Sequence, residues 1–175
     1  QFEAEVEDLG GYRDADLIIA ADGINSRIRN QYAAAFRPSL ELRTNKYIWL
    51  GTHQVFEAFT FIFEETEHGW IWAHAYRFDA DTSTFIVECD PPTWQGLRFD
   101  QMSQEDGIAF CERLFARYMD GNALMNNATH VRGSAIWIRF PRVVCKTWVH
   151  SETIGGRTVP IVLMGDAAHT AHFSI

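Results

Sequence analysis

The chain has little that would suit a nucleic-acid surface, a membrane or a disulfide-stapled scaffold. Its 175 residues carry a net charge of −8 without any block of clustered Lys and Arg, which argues against nucleic-acid or acidic-membrane partners. No apolar run approaches the roughly 18 residues of a membrane span, and the first residues do not resemble a signal peptide. These absences favour a globular protein of the cytoplasm.

Cysteine is also scarce, with three residues at wide spacings. Cys89, Cys111 and Cys145 form no C-x-x-C pair, so a structural zinc site is not indicated and we expect reduced, mostly buried thiols.

His169 and His172 stand three apart, a spacing that suits two imidazoles on one metal, but no third ligand is evident and we predict no metal. No Ser-His-Asp or Cys-His arrangement can be assembled either, so catalytic side chains stay unassigned.

One short pattern occurs twice. Near the start, the apolar run of residues 16–21 ends in Asp22-Gly23, and cap-forming polar residues introduce a helix to about Tyr32. Near the end, the apolar run of residues 159–164 ends in Gly165-Asp166 before small residues that suit a helix start. Each pattern predicts a buried strand, a tight turn and a helix N-terminus. In α/β sheets, nucleotides commonly bind at such turns.

Together these motifs resemble those of the single-component FAD aromatic hydroxylases, typified by para-hydroxybenzoate hydroxylase. A family motif D-G-x-x-S-x-x-R matches Asp22, Gly23, Ser26 and Arg29, and a later motif G-D-A-A-H matches residues 165–169. The G-x-G-x-x-G fingerprint that opens an FAD domain is absent, and both ends of the chain fall inside a pattern. We therefore interpret the chain as an internal piece of such an enzyme.

A narrower resemblance rests on Phe173, which stands where the family usually has Pro. This is most similar to the branch that hydroxylates aryl-CoA thioesters, such as salicylyl-CoA 5-hydroxylase and the aminobenzoyl-CoA monooxygenases. It implies a small aromatic substrate, present as a CoA thioester, and a role in aromatic catabolism.

The family resemblance implies a flavin reaction. FAD reduced by NADH or NADPH captures O2 as a C4a-hydroperoxide, which hydroxylates a ring bearing a hydroxyl or amino group. Asp166 would bind the ribityl chain, and the backbone at Gly165 and Ala167 would face the pyrophosphate and the flavin edge. Asp22 with Gly23 and Arg29 would brace the pyrophosphate region. For Asp22 a purely turn-stabilising role stays open.

The predicted fold is α/β (α+β), with parallel nucleotide-domain strands and an antiparallel substrate-domain sheet backed by a helix. Residues 1–37 and 151–175 are assigned to a partial FAD-binding domain and residues 38–150 to a substrate-binding domain. Residues 2–8 suggest a hairpin before the first motif, and residues 37–39 suggest a linker. Ala20 and Leu163, which end the two motif strands, should lie side by side.

The substrate domain should open with four antiparallel strands, predicted at residues 47–56, 59–63, 70–78 and 84–89. A helix over residues 103–120, capped by Ser103, should cover the sheet. On the third strand five residues share one face by the period of two: Trp70, Trp72, His74, Tyr76 and Phe78.

Two interpretations of this aromatic row stay open. It is covered by helices, or Trp72, His74 and Tyr76 line an aromatic-substrate pocket. His74 is either a core histidine bonded to a backbone carbonyl or a residue that orients the substrate.

Two further strands are predicted at residues 131–140 and 143–149, separated by Pro141, and a turn at residues 151–158. Positive charge concentrates here, on Arg132, Arg139, Arg142 and Lys146. Either this is a solvated strand face, or it contacts an anionic partner such as the phosphates of the nicotinamide cofactor or CoA.

Two other functions remain possible: a non-oxygenase flavoprotein similar to the prenyl reductases, and a non-catalytic binding module. We also expect that the 175-residue chain alone neither holds FAD nor turns over, because the Gly-rich turn is missing. Its unpaired nucleotide-domain strand edge favours self-association, for example as a homodimer.

Overall fold

The computed structural model describes residues 6–126 and 137–172, and the chain divides into two compact units. One unit comprises Gln1–Leu42 with Pro141–Ile175, and the other comprises Arg43–Phe140. The elements in chain order are β1 Ile18–Ala20, α1 Arg27–Gln31, α2 Ala33–Phe36, β2 Pro38–Thr52, β3 Thr60–Thr66, β4 Gly69–Arg77, β5 Ser83–Cys89, α3 Pro91–Gly96, α4 Gln104–Phe115, β6 Leu124–Asn126, β7 Ile138–Cys145, β8 Val149–Ile154 and β9 Arg157–Leu163. Short 3₁₀ turns occupy Gly10–Tyr12, Ala116–Tyr118 and Gly165–Ala167.

The first unit is built on a sheet with the order β1, β9, β8. β1 and β9 run parallel, with Ile18 opposite Ile161 and Ala20 opposite Leu163. Both strands are short apolar runs, and Ala20, Ile161 and Leu163 are buried. The predicted meeting of these two sequence-distant strands is confirmed. Because parallel strands end at the same edge of a sheet, the two Asp-Gly turns begin next to each other.

The turn before β9 is shorter than expected. Gly155 and Gly156 have φ values of 59° and 83°, the left-handed geometry of a two-residue hairpin loop. β8 and β9 pair antiparallel right up to this loop, where Ile154 lies opposite Arg157. The predicted turn over residues 151–158 is therefore wrong, because two glycines suffice for the reversal and their polar neighbours pair as strands.

Three other boundaries differ from the prediction. Residues 6–17 hold a 3₁₀ turn and no strand, so the expected first hairpin is not found there; residues 1–5 lie outside the described residues. Arg37, with φ 48°, ends α2, and β2 begins at Pro38 without a linker. β7 runs continuously through Pro141, because proline interrupts a strand only where its missing N–H is needed for a ladder hydrogen bond. Of the strand predicted at residues 131–140, residues 131–136 lie outside the described residues, and the last three form the start of β7.

The second unit contains most of a six-stranded sheet with the order β3, β4, β5, β2, β6, and β7 also pairs with β2. Neighbouring strands from β3 to β6 are antiparallel. The four strands predicted between residues 46 and 90 are confirmed, although β2 starts earlier. On β4, His74 lies opposite Phe61 of β3 and Ile86 of β5.

α4 packs on one face of this sheet. Ser103 caps it, its Oγ accepting from Asp106 N at 3.1 Å, and the helix gives way to a 3₁₀ turn after Phe115. Cys111 and Phe115 belong to one buried cluster with Ile71, Ala73 and Ala75 of β4. The expected covering helix is confirmed, but it covers the small-residue face. The aromatic row on the opposite face of β4 is not covered by α4.

Candidate functional site

The first Asp-Gly turn holds the start of α1. Gly23 has φ 77°, and Oδ2 of Asp22 accepts hydrogen bonds from Arg27 N at 2.8 Å and Ile28 N at 3.3 Å. Oγ of Ser26 accepts from Arg29 N at 2.9 Å. The first three N–H groups of the helix, which have no partner within a helix, are thus all bonded to side chains. The Asp22 carboxylate has a turn-stabilising role in this structure.

The second turn leaves its carboxylate in solvent. Gly165 has φ 61° and opens the 3₁₀ turn Gly165–Ala167, which Ala168 N closes on Gly165 O at 2.9 Å. Asp166 is exposed, and among the described residues its carboxylate has no hydrogen-bond or ion-pair partner. The turn is followed by a bridge between His169 and Val144. Up to residue 172 the predicted helix N-terminus is therefore a single 3₁₀ turn, because the chain returns to strand pairing after it.

Arg29 joins the two turns. It is 1% exposed, and its guanidinium donates to Ile24 O at 2.7 Å, beside the first turn. The same group donates to Ala167 O at 3.3 Å and to Asp166 O at 3.5 Å in the second turn. Sequence reasoning placed Arg29 at this site by family resemblance. Its hydrogen bonds to the main chain of both turns could not be read from spacing.

The charge of Arg29 has no anionic partner among the described residues. Its guanidinium contacts carbonyl oxygens only, it forms no ion pair, and its Nε has no acceptor there. A buried charge is stabilised mainly by a partner of opposite sign. The meeting point of the two turns therefore suits an anionic group, which fits the phosphates of a dinucleotide.

An apolar groove of about 790 Å³ runs along β1 and past Asp22 to the start of α1. Leu17 and Ile19, on the β1 side of this groove, are 49% and 54% exposed. Within the described residues β1 pairs only with β9, so its other edge keeps unpaired N–H and C=O groups. Such an edge can pair with a further strand.

The second unit presents the aromatic row. Phe61 packs edge-on against His74, with ring centroids 4.9 Å apart, and Phe59 stacks on Tyr76 at 5.3 Å. Phe61 is 46% exposed, whereas His74 is 1% exposed and sits among the rings. Trp72, His74 and Tyr76, the predicted substrate residues, thus share one face that carries partly exposed aromatic surface.

Sequence reasoning missed Glu88, which lies in the same face. Its Oε1 accepts from Asn45 Nδ2 at 2.9 Å, and its Oε2 accepts from Trp72 Nε1 at 3.1 Å. Nε2 of His74 is 3.4 Å from Glu88 Oε2. Burial, and then the Glu88 carboxylate, raise the pKa of the Tyr47 hydroxyl. A charged residue inside the apolar run of β5 was the signal that could have revealed this group.

The basic residues late in the chain are spread along its surface. Arg142 Nη1 lies 3.6 Å from Glu41 Oε2, and both side chains are about half exposed. Arg132 and Phe173 lie outside the described residues. The ion pair of Arg142 is consistent with the solvated-face interpretation for this residue.

The described residues hold neither a cluster of metal ligands nor a membrane-spanning helix. Among residues 6–126 and 137–172, no three His, Cys, Asp or Glu side chains are grouped to hold a metal ion. No helix in those ranges is long and apolar enough to cross a membrane. The three cysteines are buried and form no disulfide, as the sequence predicted.

No family model matches the chain, but named relatives do. The chain is 36% identical over 183 residues to a salicyloyl-CoA 5-hydroxylase of a Streptomyces species, covering 100% of this chain and 33% of that protein. It is 36% identical over 164 residues to the 3-hydroxy-4-methyl-anthranilyl-[aryl-carrier protein] 5-monooxygenase of Streptosporangium sibiricum, covering 93% and 38%. It is 32% identical over 162 residues to the protodeoxyviolaceinate monooxygenase of Chromobacterium violaceum, covering 93% and 40%. The chain thus spans about a third to two fifths of these relatives.

Solved structures agree on the fold. A 2-methyl-3-hydroxypyridine-5-carboxylic acid oxygenase variant matches with TM-score 0.54 at 15% identity, over 91% of this chain and 40% of that one. A p-nitrophenol 4-monooxygenase from Pseudomonas putida matches with TM-score 0.54 at 15% identity, over 89% and 35%. A variant of a flavin-dependent brominase matches with TM-score 0.52 at 14% identity, over 88% and 36%. The resemblance indicated by the two motifs is confirmed: this chain is similar, over its whole length, to a part of a salicyloyl-CoA 5-hydroxylase and, over most of its length, to parts of two monooxygenases, and it shares the fold of the solved oxygenase structures.

Proposed function

We propose that this chain forms part of a monooxygenase that uses FAD and NADH or NADPH to hydroxylate an activated aromatic ring. The names of the three relatives, each a hydroxylase or monooxygenase, support the reaction class. Two of them are named for substrates attached to CoA or to a carrier protein, which favours an aryl thioester as the substrate. The bound flavin supplies the oxygen chemistry, and the protein binds and orients the reactants.

In this proposal the two regions of the chain have different tasks. Residues 1–37 and 151–175 contribute to an FAD-binding domain, and residues 38–150 bind the substrate. The division is supported by the two compact units of the chain, whose boundaries lie at residues 42/43 and 140/141.

The contact of Arg29 with both turns is the observation that carries the FAD assignment. Its buried positive charge lies beside the main chain of Asp166 and Ala167, where the phosphates of FAD would be stabilised. The exposed carboxylate of Asp166 would accept a hydrogen bond from a ribityl hydroxyl. Gly165, Gly23 and the capped start of α1 would shape the backbone around the cofactor, with Asp22 acting through the turn.

A chimera tests this assignment. In the chimera, this chain replaces the matching third of the Streptomyces hydroxylase, and that hydroxylase supplies the other two thirds of the sequence. In the chimera, Asp166→Ala should weaken FAD binding about ten- to a hundredfold, because a charge-assisted hydrogen bond is lost. Asp16→Ala removes an exposed carboxylate of the same unit and should leave FAD affinity unchanged. Equal FAD affinity of the Asp166 variant and the parent, measured by flavin fluorescence, would remove Asp166 from the site.

The aromatic face is the proposed contact for the substrate ring. Trp72 and Tyr76 offer flat, half-buried rings, and aromatic stacking favours a flat ligand. Tyr76→Ala in the chimera should raise KM for the aromatic substrate and leave FAD affinity unchanged. Trp148→Ala, an exposed aromatic of the first unit, is the control.

The reaction assay separates the remaining alternatives. Aromatic-stimulated, O2-dependent consumption of NADH or NADPH supports the monooxygenase. Flavin-dependent reduction of a double bond without O2 uptake would instead indicate a reductase similar to the prenyl reductases. Tight ligand binding that does not depend on flavin would indicate a binding module.

For the 175-residue chain alone we expect no saturable micromolar FAD binding, and self-association through the edge of β1. The exposed Leu17 and Ile19 beside that edge favour association. Flavin fluorescence and light scattering check the two expectations independently.

A further inference from the structure

Glu88 is a buried carboxylate beneath the aromatic face. It is 4% exposed, and it lies directly opposite Trp72 on β4 and Tyr47 on β2. The next residue pair along the same face of these strands is Ile86 with His74. The carboxylate therefore lies beneath the residues proposed to contact the substrate.

Both carboxylate oxygens of Glu88 are engaged. Asn45 donates to Oε1 at 2.9 Å and Trp72 to Oε2 at 3.1 Å. His74 Nε2 lies 3.4 Å from Oε2, within ion-pair range but outside hydrogen-bond geometry. An unprotonated imidazole nitrogen this close to a carboxylate oxygen would be repelled, because both atoms carry partial negative charge. The contact is attractive only when Nε2 bears a proton.

His74 is the basic side chain that the described contacts place beside this carboxylate. On the same sheet face, the strand neighbours of Glu88 contribute the Tyr47 hydroxyl and apolar rings, and Asn45 and the exposed Arg43 follow along β2. The exposed Glu65 lies at the end of β3. Lys46 is on the other side, with Nζ 4.6 Å from the Trp94 ring centroid. Replacing a whole buried ion pair by well-packed apolar residues is often neutral or stabilising. The stability of the fold is therefore a weak explanation for a buried carboxylate at position 88.

We propose that Glu88 is a positioning residue for the substrate face: it holds a proton on His74 Nε2 and thereby fixes the orientation of the imidazole and of the Trp72 indole. The inference rests on the proposed function in one respect, namely that the aromatic face contacts the aromatic substrate. A fixed indole with a fixed imidazole packed beside it would give this face one defined shape, so that the ring of the substrate stacks on it in one orientation.

Nitrogen NMR of the 175-residue chain tests the positioning directly. Long-range ¹H–¹⁵N spectra should show a proton on Nε2 of His74 in the wild-type chain. Glu88→Gln should shift both ring nitrogens and the Trp72 indole N–H signal. Glu65→Gln removes an exposed carboxylate from the same sheet face and should leave them unchanged. If Glu88→Gln does not fold, Glu88→Met serves as the second variant.

The outcomes distinguish this inference from the proposed function. An unprotonated Nε2 in the wild-type chain, or unchanged His74 signals in a folded Glu88 variant, would overturn the positioning role. Salicylate is then titrated as the aromatic probe. Glu88→Gln should weaken the binding of salicylate about tenfold, a change equivalent to the loss of about one hydrogen bond. Salicylate that leaves the His74 and Tyr76 signals unmoved, while Nε2 is protonated as expected, would refute the substrate face and leave the Glu88 contact in place.

Discussion

Asp22 and Asp166 stand in two turns of the same kind, yet their carboxylates are used in opposite ways. Asp22 precedes its glycine, and its carboxylate accepts two backbone N–H bonds from α1. Asp166 follows its glycine, and its carboxylate is exposed without a partner among the described residues. A helix follows Asp22 and Gly23, whereas Gly165 and Asp166 themselves lie in a 3₁₀ turn.

The comparison teaches that a motif does not assign the role of its charged residue. A helix follows the first turn, and its unpaired N–H groups attract the nearest carboxylate. A 3₁₀ turn and a bridge follow the second, so no comparable set of N–H groups engages Asp166. Of the two acids, Asp166 is therefore the better candidate for contact with a ligand.

The largest effect should come from breaking the link between the turns. Arg29→Met removes three hydrogen bonds and leaves buried carbonyl oxygens without donors, so the free energy of unfolding should fall by about 3 kcal/mol. Arg157→Met, which breaks an exposed pair with Asp16, should lower it by less than about 1 kcal/mol. Urea denaturation measures both. Similar losses in the two variants would show that Arg29 does not join the turns in solution.

A smaller effect should separate the two acids. Asp22→Ala leaves two N–H groups of α1 unbonded and should lower the free energy of unfolding by about 1 kcal/mol. Asp166→Ala removes no observed contact and should change it by less than about 0.5 kcal/mol. Thermal and urea unfolding of the pair give the comparison. An equal cost for both substitutions would mean that Asp166 also has a structural partner.

The smallest effect concerns a thiol held by the second turn. Cys145 Sγ donates to Ala167 O at 3.8 Å, and burial raises the pKa of Cys145, opposed in part by Arg29. Because the folded chain keeps this proton when the unfolded chain loses it, stability should fall as the pH rises past the ordinary thiol value of about 8.5. Wild-type protein should lose more stability between pH 8 and pH 9 than Cys145→Ala. A steeper loss in the variant would contradict the sign of this pKa shift.

Several features were predictable because they depend on neighbours in sequence. The four strands between residues 46 and 90 follow from alternating and apolar runs bounded by turn residues, and α4 follows from its cap and its stripe. The pairing of Ala20 with Leu163 followed from the family resemblance of the two motifs. Pro141 misled the prediction, because proline interrupts a strand only where its N–H is needed.

The sequence by itself determined the four strands between residues 46 and 90, the two strands that end in the Asp-Gly motifs and the cap of α4, since the backbone preferences of capping residues, turn residues and alternating apolar residues act over a few positions. Only the tertiary structure decided which distant residues contact one another. Glu88 lies 14 positions from His74 and 43 from Asn45, and the three meet only because strand register aligns β2, β4 and β5. In the same way Arg29 meets Ala167 across 138 positions. Hydrogen bonds require atoms within about 3 Å, and folding alone brings such distant residues that close.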